Sequence, residues 1–451
     1  MQKNIQLTNT ATFGNGNGNR GNGNKNGIFP PATVIENFKF DIQGGMDRIS
    51  QAKEKSGVKG FVTVFGSARP LPSDSNYDLA AETSHIFGKN GYGTITGGGP
   101  GIMRAGNEGA SAANAPSIGV QPHFLDRREG NTSVDNKIQE TVHTMYSRKI
   151  LFSANCNAII AFPGGYGTLD ELFENLKLIQ INKMKGVQVI LMGSKNYWMS
   201  LLTWMEKHVL GKGFINAREF GLMRYAATPN EALNIINENT FNPLRHDASQ
   251  IAAWFEEDLK ICHNHMGGIH NTSTSIFGSA RAKAGEHYES AKDLARRLSI
   301  MGHAVYSGGG KGIMEAVAKG VLAAGKKSSW PRPVLFMANE NPDASKSDHV
   351  KLNLIASRKL VLGSSDALVF YPGGYGTLDE LFEYAVRIQI GDMEAVPIVT
   401  MHRQFWNPLY KWVERYPLEM GLIDQKDTGI ISMADTPKET IRMINHGIGK
   451  Q

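Results

Sequence analysis

The sequence has little of several features that define common protein classes. Only two of its 451 residues are cysteines, Cys156 and Cys262, which is too few for a disulfide framework. No apolar run approaches the roughly 18 to 20 residues that a membrane span needs, and the first residues lack the apolar segment of a signal peptide. These absences predict a cytoplasmic protein that does not enter a membrane.

An excess of charge of one sign is also missing from most of the chain. The formal net charge is +6, and Lys3, Arg20 and Lys25 of an acid-free leader supply half of it. The small net positive charge that remains is compatible with a small anionic ligand, and it is only weak support for binding of nucleic acid. We therefore do not expect a nucleic-acid partner.

Glycine, in contrast, is abundant. The chain has 50 glycines, about 11% of its residues, against a usual share of about 7%. Between Gly14 and Gly27 lie six glycines and six asparagines, a composition that cannot form a packed core. We predict a disordered leader and a lead-in helix over 1–57. The whole chain is 41% hydrophobic and long enough for two or three domains.

The chain repeats itself. The twelve residues PGGYGTLDELFE that begin at Pro163 recur unchanged from Pro372, and FGSAR, SRK and a GGG turn followed by GIM also occur twice. The nearly constant separation of these words predicts two copies of one domain. We place copy 1 at 58–240 and copy 2 at 272–447, joined by a linker over 241–271.

Each copy alternates short apolar runs with helical patterns. This alternation predicts an α/β fold with two tandem Rossmann-like, doubly wound domains, each a parallel sheet with helices on both faces. Ligands of such sheets bind where the chain leaves the carboxyl ends of the strands. The repeated words FGSAR, GGG and PGGYGT lie at those places.

The linker ends in a cluster of potential metal ligands. The word CHNHMGGIH contains the following four within nine residues: Cys262, His263, His265 and His270. Their spacing fits no standard zinc site, because the second half of one is missing. A solvated linker is the favoured interpretation, and we expect neither a metal nor a cofactor.

The word PGGYGT predicts a phosphate site. Gly164, Gly165 and Gly167 allow a tight turn between a buried strand and a helix, whose first N–H groups and positive dipole end attract an anion. Thr168 adds a hydroxyl donor. A tight turn without a ligand is the structural alternative, and the nearby GGGPG turn, which opens a second helix, favours the phosphate site.

Two sets of polar residues leave alternatives open. Thr168 and Glu171 have the spacing of a capping box, so Glu171 either caps the helix or faces the sugar of a bound nucleotide. Arg148 and Lys149 are either solvated helix charges or phosphate ligands. Spacing alone does not decide between these functions.

The combination of PGGYGTLDE, an upstream Arg-Lys pair and GGGPGIM resembles a known family. It is similar to the LOG ("Lonely Guy") family of cytokinin-activating phosphoribohydrolases, long mislabelled as lysine decarboxylases, and to bacterial nucleotide 5'-monophosphate nucleosidases. The resemblance covers both copies and implies a tandem duplication. It also implies hydrolysis of the N-glycosidic bond of a nucleoside 5'-monophosphate, either AMP-like or a cytokinin nucleotide, to free base and ribose 5-phosphate.

The resemblance also implies roles for individual residues. The catalytic pair is Arg148 and Glu171, with Glu171 stabilising an oxocarbenium-like centre and Arg148 setting substrate charge and geometry. The implied substrate-binding residues of copy 1 are Ser67, Gly98, Gly99, Glu129, Lys149, Gly164, Gly165, Gly167 and Thr168. Their implied counterparts in copy 2 are Arg358, Lys359, Gly373, Gly374, Gly376, Thr377 and Glu380.

Copy 2 departs further from the family pattern. Arg358 lies one residue closer to its PGGYGT word than Arg148 does. Lys177 and Val386 fill the position where relatives often carry threonine. Copy 1 is therefore our choice for the catalytic copy, and copy 2 is expected to be weaker, altered in specificity or only structural.

The resemblance bears on assembly and on the alternative function. Family members are dimers with sites at the dimer interface, which implies that the two copies pack as an intramolecular pseudo-dimer; a further homo-oligomer is left open. The alternative function is a non-catalytic nucleotide sensor that uses the same phosphate site.

Overall fold

The computed structural model describes residues 32–123, 139–154, 156–238, 247–266, 272–325, 334–337 and 349–449. The Gly/Asn-rich stretch of the predicted leader lies outside these ranges. Among the described residues, no helix is both long and apolar enough to cross a membrane.

Copy 1 is built on a seven-stranded parallel sheet. Its strands, in the order β4-β3-β2-β1-β5-β6-β7, are β1 (Gly60–Phe65), β2 (Tyr92–Thr96), β3 (Ser117–Pro122), β4 (Gln139–Val142), β5 (Cys156–Ala161), β6 (Gln188–Leu191) and β7 (Met223–Tyr225). The helices are α1 (Ala32–Ser56), α2 (Ser75–Lys89), α3 (Ile102–Ala112), α4 (Met145–Ser153), α5 (Tyr166–Gln180), α6 (Lys195–Met205), α7 (Ala217–Phe220) and α8 (Pro229–Asn237). A π-helical turn, Glu206–Leu210, extends α6.

Copy 2 repeats this plan with a five-stranded parallel sheet and a separate parallel pair, β10-β11. The large sheet, in the order β14-β13-β12-β8-β9, contains β8 (Ser273–Phe277), β9 (Ala304–Tyr306), β12 (Ala367–Phe370), β13 (Ile398–Met401) and β14 (Ile431–Ala434); the pair is β10 (Val334–Met337) and β11 (His349–Leu352). The helices are α9 (Ala248–Met266), α10 (Glu286–Ile300), α11 (Ile313–Ala324), α12 (Ile355–Gly363), α13 (Tyr375–Gln389), α14 (Arg403–Val413) and α15 (Pro437–Ile448).

The predicted fold class is confirmed. Strands such as β1, with the sequence GFVTVF, are buried at every position, because helices cover both faces of a parallel sheet and leave no polar side. In the sheet order, β1 lies between β2 and β5. The carboxyl ends of these three parallel strands therefore lie next to one another. The three repeated glycine words follow these neighbouring strands.

The segment predicted as a linker contains α9. Phe255 of this helix is buried and stacks on Phe38 of α1, with ring centroids 3.8 Å apart. Cys262 is buried within the same core, whereas His263 is exposed, so these two potential metal ligands face different surroundings. His270 lies outside the described residues.

The two copies pack against each other through equivalent helices. Phe173 of α5 stacks on Phe382 of α13, with centroids 5.8 Å apart and planes 11° from parallel. Trp204 of the first copy contacts Phe405 of the second, edge to face, at 5.6 Å. One hydrophobic core spans residues of both copies, which is the packing that an intramolecular pseudo-dimer requires.

Candidate active sites at the interface between the copies

Three glycine-rich turns converge at the carboxyl ends of β1, β2 and β5. The backbone N–H of Ser67 donates to the carbonyl of Pro163 at 3.2 Å, and the Ser67 carbonyl accepts from the N–H of Ile102 at 2.9 Å. A Cβ at Gly164 would lie 2.0 Å from Thr168 Oγ1 and 3.1 Å from Ser67 N. The structure therefore brings together the predicted residues Ser67, Gly164 and Thr168.

The GGGPG turn needs glycine for both conformation and space. Gly98 has a φ of 71° and donates its N–H to Thr96 Oγ1 at 3.0 Å. A Cβ at Gly97 would lie 2.0 Å from Arg148 Nη2, and one at Gly99 would lie 2.7 Å from the end of Met103. A positive φ and such close approaches exclude most side chains. The Arg148 guanidinium therefore fits against this turn only because the turn residues are glycines.

Arg148 and Glu171 form an ion pair beside these turns. Arg148 Nη1 lies 3.4 Å from Glu171 Oε1, and Arg148 Nε donates to the carbonyl of Val120 at 3.0 Å. Their side chains are 11% and 13% exposed. Burial raises the pKa of Glu171 to about 7, although Arg148 opposes this shift, and burial lowers the pKa of Arg148. The site thus holds a carboxyl that titrates near neutral pH next to a fixed cation.

The capping-box alternative for Glu171 is wrong. The residue that precedes α5 is Gly165, which offers no side chain to cap the helix. Thr168 is the third residue of α5 and Glu171 the sixth, so the Glu171 side chain lies beyond the first turn. Its carboxylate contacts Arg148 instead of the first backbone N–H groups.

Copy 2 reproduces the arrangement. Arg358 Nη2 lies 3.1 Å from Glu380 Oε1, and these side chains are 3% and 9% exposed. A Cβ at Gly373 would lie 2.1 Å from Thr377 Oγ1. The shorter spacing between Arg358 and the PGGYGT word therefore does not prevent the Arg–Glu contact. A cavity of about 310 Å³ opens on the glycine turns of copy 2.

Each set of turns is covered by the other copy. A Cβ at Gly165 would lie 2.6 Å from Ile423 Cγ2, and one at Gly374 would lie 2.8 Å from the carbonyl of Phe214. Gly167 faces Val386, and Gly376 faces Lys177.

Two arginines also contact the opposite copy, and sequence reasoning missed both contacts. Arg69 Nη1 contacts Asp424 Oδ1 at 2.8 Å across the interface. Arg281 makes two contacts of 2.6 Å with the Glu219 carboxylate. Both arginines belong to the repeated FGSAR words, so the repeat itself was the available signal. Of their acidic partners, Glu219 lies in α7, and Asp424 lies directly before a 3₁₀-helical turn, Gln425–Gly429.

Lys149 and Lys359, predicted to contact the nucleotide, lie in a buried charge cluster between the copies. Lys149 Nζ contacts Asp170 at 2.7 Å, Glu174 at 3.1 Å and Glu383 at 2.9 Å. Lys359 Nζ contacts Asp379 at 2.8 Å and the same Glu174 and Glu383. Successive side chains on a helix point about 100° apart, so each arginine faces the glycine turns and the lysine after it faces the interface.

The cluster is an ion-pair network. Three of its carboxylates, Asp170, Glu174 and Asp379, place oxygens within 4.8 Å of one another, a grouping suited to a cation. The two lysine ammonium groups already lie among them. Burial lowers the pKa of Lys149, but the surrounding carboxylates outweigh burial and hold it above its usual value. The carboxylates also hold the pKa of Lys359 well above its usual value, so both lysines remain charged at neutral pH.

Two aspartates position the arginine-bearing helices, and sequence reasoning missed both. Asp41 of α1 accepts the backbone N–H groups of His143 and Thr144 at 2.8 and 3.1 Å, just before α4. Asp258 of α9 accepts those of Asn353 and Leu354 at 2.7 and 2.9 Å, just before α12. The shared spacing Phe-x-x-Asp in α1 and α9 was the available signal.

The last predicted site residue, Glu129, lies outside the described residues. Its expected position near the base or ribose stays a prediction.

The comparisons with known proteins agree with the repeat. A family model described as "Possible lysine decarboxylase" matches residues 103–236 and 314–444, which together are more than half of the chain. The probable cytokinin riboside 5'-monophosphate phosphoribohydrolase LOGL2 of Oryza sativa subsp. japonica is 29% identical over 170 residues, covering 37% of the chain and 69% of the relative. The chain belongs to the LOG family.

Other relatives of this family match similar lengths. The cytokinin riboside 5'-monophosphate phosphoribohydrolase LOG4 of Arabidopsis thaliana is 28% identical over 196 residues, covering 43% of the chain and 89% of the relative. Among solved structures, a molybdenum cofactor binding protein of Rippkaea orientalis is 20% identical, with a TM-score of 0.31, and covers 40% of the chain and 96% of its own length. LOGL2 and LOG4 thus each match over a stretch about as long as one copy, and the family match occurs twice.

Proposed function

We propose that the protein hydrolyses the N-glycosidic bond of nucleoside 5'-monophosphates, AMP-like or cytokinin nucleotides, to free base and ribose 5-phosphate. Water adds to the anomeric carbon, the carbon–nitrogen bond breaks and the base leaves with a proton. The observation that carries the proposal is the Arg148–Glu171 ion pair beside a glycine-rich helix start, repeated as Arg358–Glu380. The LOG relatives support phosphoribohydrolase activity in general.

The residues of the copy 1 site suit hydrolysis of an N-glycosidic bond. The turn from Gly164 to Gly167 and the first N–H groups of α5 suit a 5'-phosphate. Departure of the base leaves positive charge on the ribose, which an ionised Glu171 carboxylate stabilises most strongly in a site with little water. Arg148 keeps that carboxylate oriented and favours its ionised form against the effect of burial. A cytoplasmic location and any further homo-oligomer stay predictions.

The test measures release of base from a panel of nucleotides. Wild-type protein is incubated with AMP, GMP, CMP, UMP and a cytokinin riboside 5'-monophosphate, and the free base is separated and quantified. Loss of a positioned carboxylate costs about 100-fold to 10,000-fold in rate, so we expect Glu171→Gln to lose most of the activity of copy 1. Glu380→Gln reports on copy 2.

A surface variant controls for indirect effects. Glu315→Gln changes a half-exposed glutamate that pairs with Lys319 on the same helix, and it should leave base release unchanged. Full turnover in the double variant Glu171→Gln, Glu380→Gln would contradict the proposal. Tight nucleotide binding without base release from the wild type would instead favour a nucleotide sensor.

A further inference from the structure

Another cavity lies between the copies. Its volume is about 150 Å³, and its walls include parts of α4 and α5 of copy 1, of α9 and of the start of α12. Most of its described lining is apolar, with side chains such as Leu178, Ile251, Trp254 and Ile355. Among the described residues that line it, none belongs to a glycine-rich turn. The cavity is therefore separate from both candidate active sites.

At the equivalent place on the other side of the interface, large side chains fill the space. Counted from the repeated words, Leu178 corresponds to Arg387 and Ala356 corresponds to Tyr146. The Arg387 guanidinium lies over the Tyr146 ring, 5.1 Å from its centroid, and Arg387 Nε contacts Asp392 at 2.6 Å. The smaller leucine and alanine leave open the space that arginine and tyrosine fill.

Charged side chains also line the cavity, but they do not select its occupant. Lys149 and Glu174 contact each other at 3.1 Å within the buried charge cluster. Lys183 and Lys185 are exposed, where water weakens their attraction for an anion. The apolar side chains therefore decide which molecule the cavity suits.

The cavity can be reached from solvent. Leu178, Trp254 and Ala356 are only half-buried, so part of the wall is accessible from outside. A small molecule can thus enter without the unfolding of either copy.

We propose that this cavity is a binding site for a small molecule with one aromatic ring. Apolar cavities of about 150 Å³ hold a benzene ring, and the aromatic side chains of Trp254 and Tyr146 in the wall favour an aromatic occupant. The site differs from the two nucleotide sites in position and in the class of its ligand. Because its walls come from both copies, the ligand binds the packed pair and stabilises it against unfolding.

Titration of the full chain with para-fluorophenol, followed by fluorine NMR, tests the proposal. We expect saturable binding with a dissociation constant of about 1 mM or below, a reasonable affinity for a one-ring ligand in an apolar cavity. The temperature of unfolding should rise as the ligand concentration passes the dissociation constant. An excess of ribose 5-phosphate should not displace the ligand, because the glycine turns lie outside the cavity.

Variants that fill the cavity locate the ligand. Ala356→Phe places a ring in the space of the ligand and should weaken binding by about 10-fold or more. Leu178→Phe fills the cavity from copy 1 and should have the same effect, and it keeps the proposal testable if Ala356→Phe is misfolded. Ala112→Phe adds the same ring at an exposed position of α3. This matched control should leave binding unchanged.

Three results would overturn the proposal. The first is the absence of saturable binding to the wild type up to about 10 mM ligand. The second is unchanged binding in folded Ala356→Phe and Leu178→Phe. The third is displacement by ribose 5-phosphate, which would place the aromatic molecule in a nucleotide site. None of these measurements involves hydrolysis, so their outcome is independent of the proposed function.

Discussion

At the scale of single residues, the decisive contact is the one between an arginine and a glutamate. Burying a carboxylate is costly unless a cation and hydrogen bonds accompany it. Arg148 supplies the cation for Glu171, and its own position is fixed by the carbonyls of Gly97 and Val120. The pair is therefore held by backbone carbonyls of the GGGPG turn and of the neighbouring strand β3.

The raised pKa of Glu171 predicts a pH dependence for copy 1. Only the ionised carboxylate stabilises positive charge on the ribose, and the ionised fraction falls as the pH drops below about 7. We expect base release to rise with pH through about 7 and then level off. Rates measured from about pH 5 to about pH 9 in the Glu380→Gln variant, which isolates copy 1, check this expectation.

The control for this profile is the removal of the titrating group. In the double variant Glu171→Gln, Glu380→Gln, the residual rate should lose the rise near pH 7. A flat profile in Glu380→Gln itself would show that ionisation of Glu171 does not limit the reaction.

At the scale of elements, α1 and α9 determine where the arginine-bearing helices begin. Asp41 accepts two backbone N–H groups at the start of α4 and also contacts Ser147 Oγ at 2.5 Å. It is fully buried, so its loss would leave these donors without a partner. Because Arg148 follows Ser147 directly, the orientation of α4 and the position of Arg148 depend on Asp41.

Asp41→Ala should therefore lower both stability and activity. Leaving the N–H groups of His143 and Thr144 without their acceptor costs about 1 to 3 kcal/mol, and we expect base release from copy 1 to fall because Arg148 shifts. Urea unfolding and the base-release assay measure the two effects. Asp47→Ala on the exposed face of α1, whose partner is Gln43, is the matched control and should change stability by less than about 0.5 kcal/mol.

The result for Asp41 would also discriminate between the two possible roles of α1. If Asp41→Ala unfolds like the wild type and keeps its activity, α1 contributes only apolar packing through residues such as Phe38. An Asp41→Asn variant keeps one acceptor oxygen and should lie between the wild type and Asp41→Ala.

The elements that sequence reasoning predicted are those whose signal is local. The PGGYGT turn follows from adjacent glycines at a strand end, and its repetition located both copies. The segment predicted as a linker contains α9, which shares little more than Phe255 and Asp258 with the corresponding positions of α1. The position of Lys149 in the charge cluster could not be predicted from the adjacent Arg148 and Lys149 alone, because successive side chains on a helix point in different directions. Contacts such as Arg69–Asp424 depend on how the copies pack, which no spacing encodes.

At the scale of the whole molecule, the buried charge cluster joins the two copies. Copy 1 contributes Lys149, Asp170 and Glu174, and copy 2 contributes Lys359, Asp379 and Glu383. Burial would raise the pKa of Glu383, but the two lysines outweigh burial and lower it to about 2. Glu174 and Glu383 each contact both lysines, and Glu383 is the more deeply buried of the two.

Glu383→Gln should destabilise the assembled molecule strongly. It leaves two buried ammonium groups with one carboxylate fewer, and breaking a buried ion pair from one side costs about 3 to 5 kcal/mol. The exposed pair Glu315–Lys319 provides the matched control, because Glu315→Gln should cost no more than about 1 kcal/mol. Urea unfolding at neutral pH compares the two variants with the wild type.

Glu383→Gln should also change how the stability of the protein depends on acid pH. The folded pKa of Glu383 lies below its ordinary value of 4.5, so its contribution to stability is present above that value and is lost as the pH falls toward about 2. The wild type should therefore lose more stability than Glu383→Gln over this interval, and the difference between them should shrink as the pH is lowered. A difference that stays constant from neutral pH down to about pH 3 would mean that Glu383 stabilises the interface by packing and not by its charge.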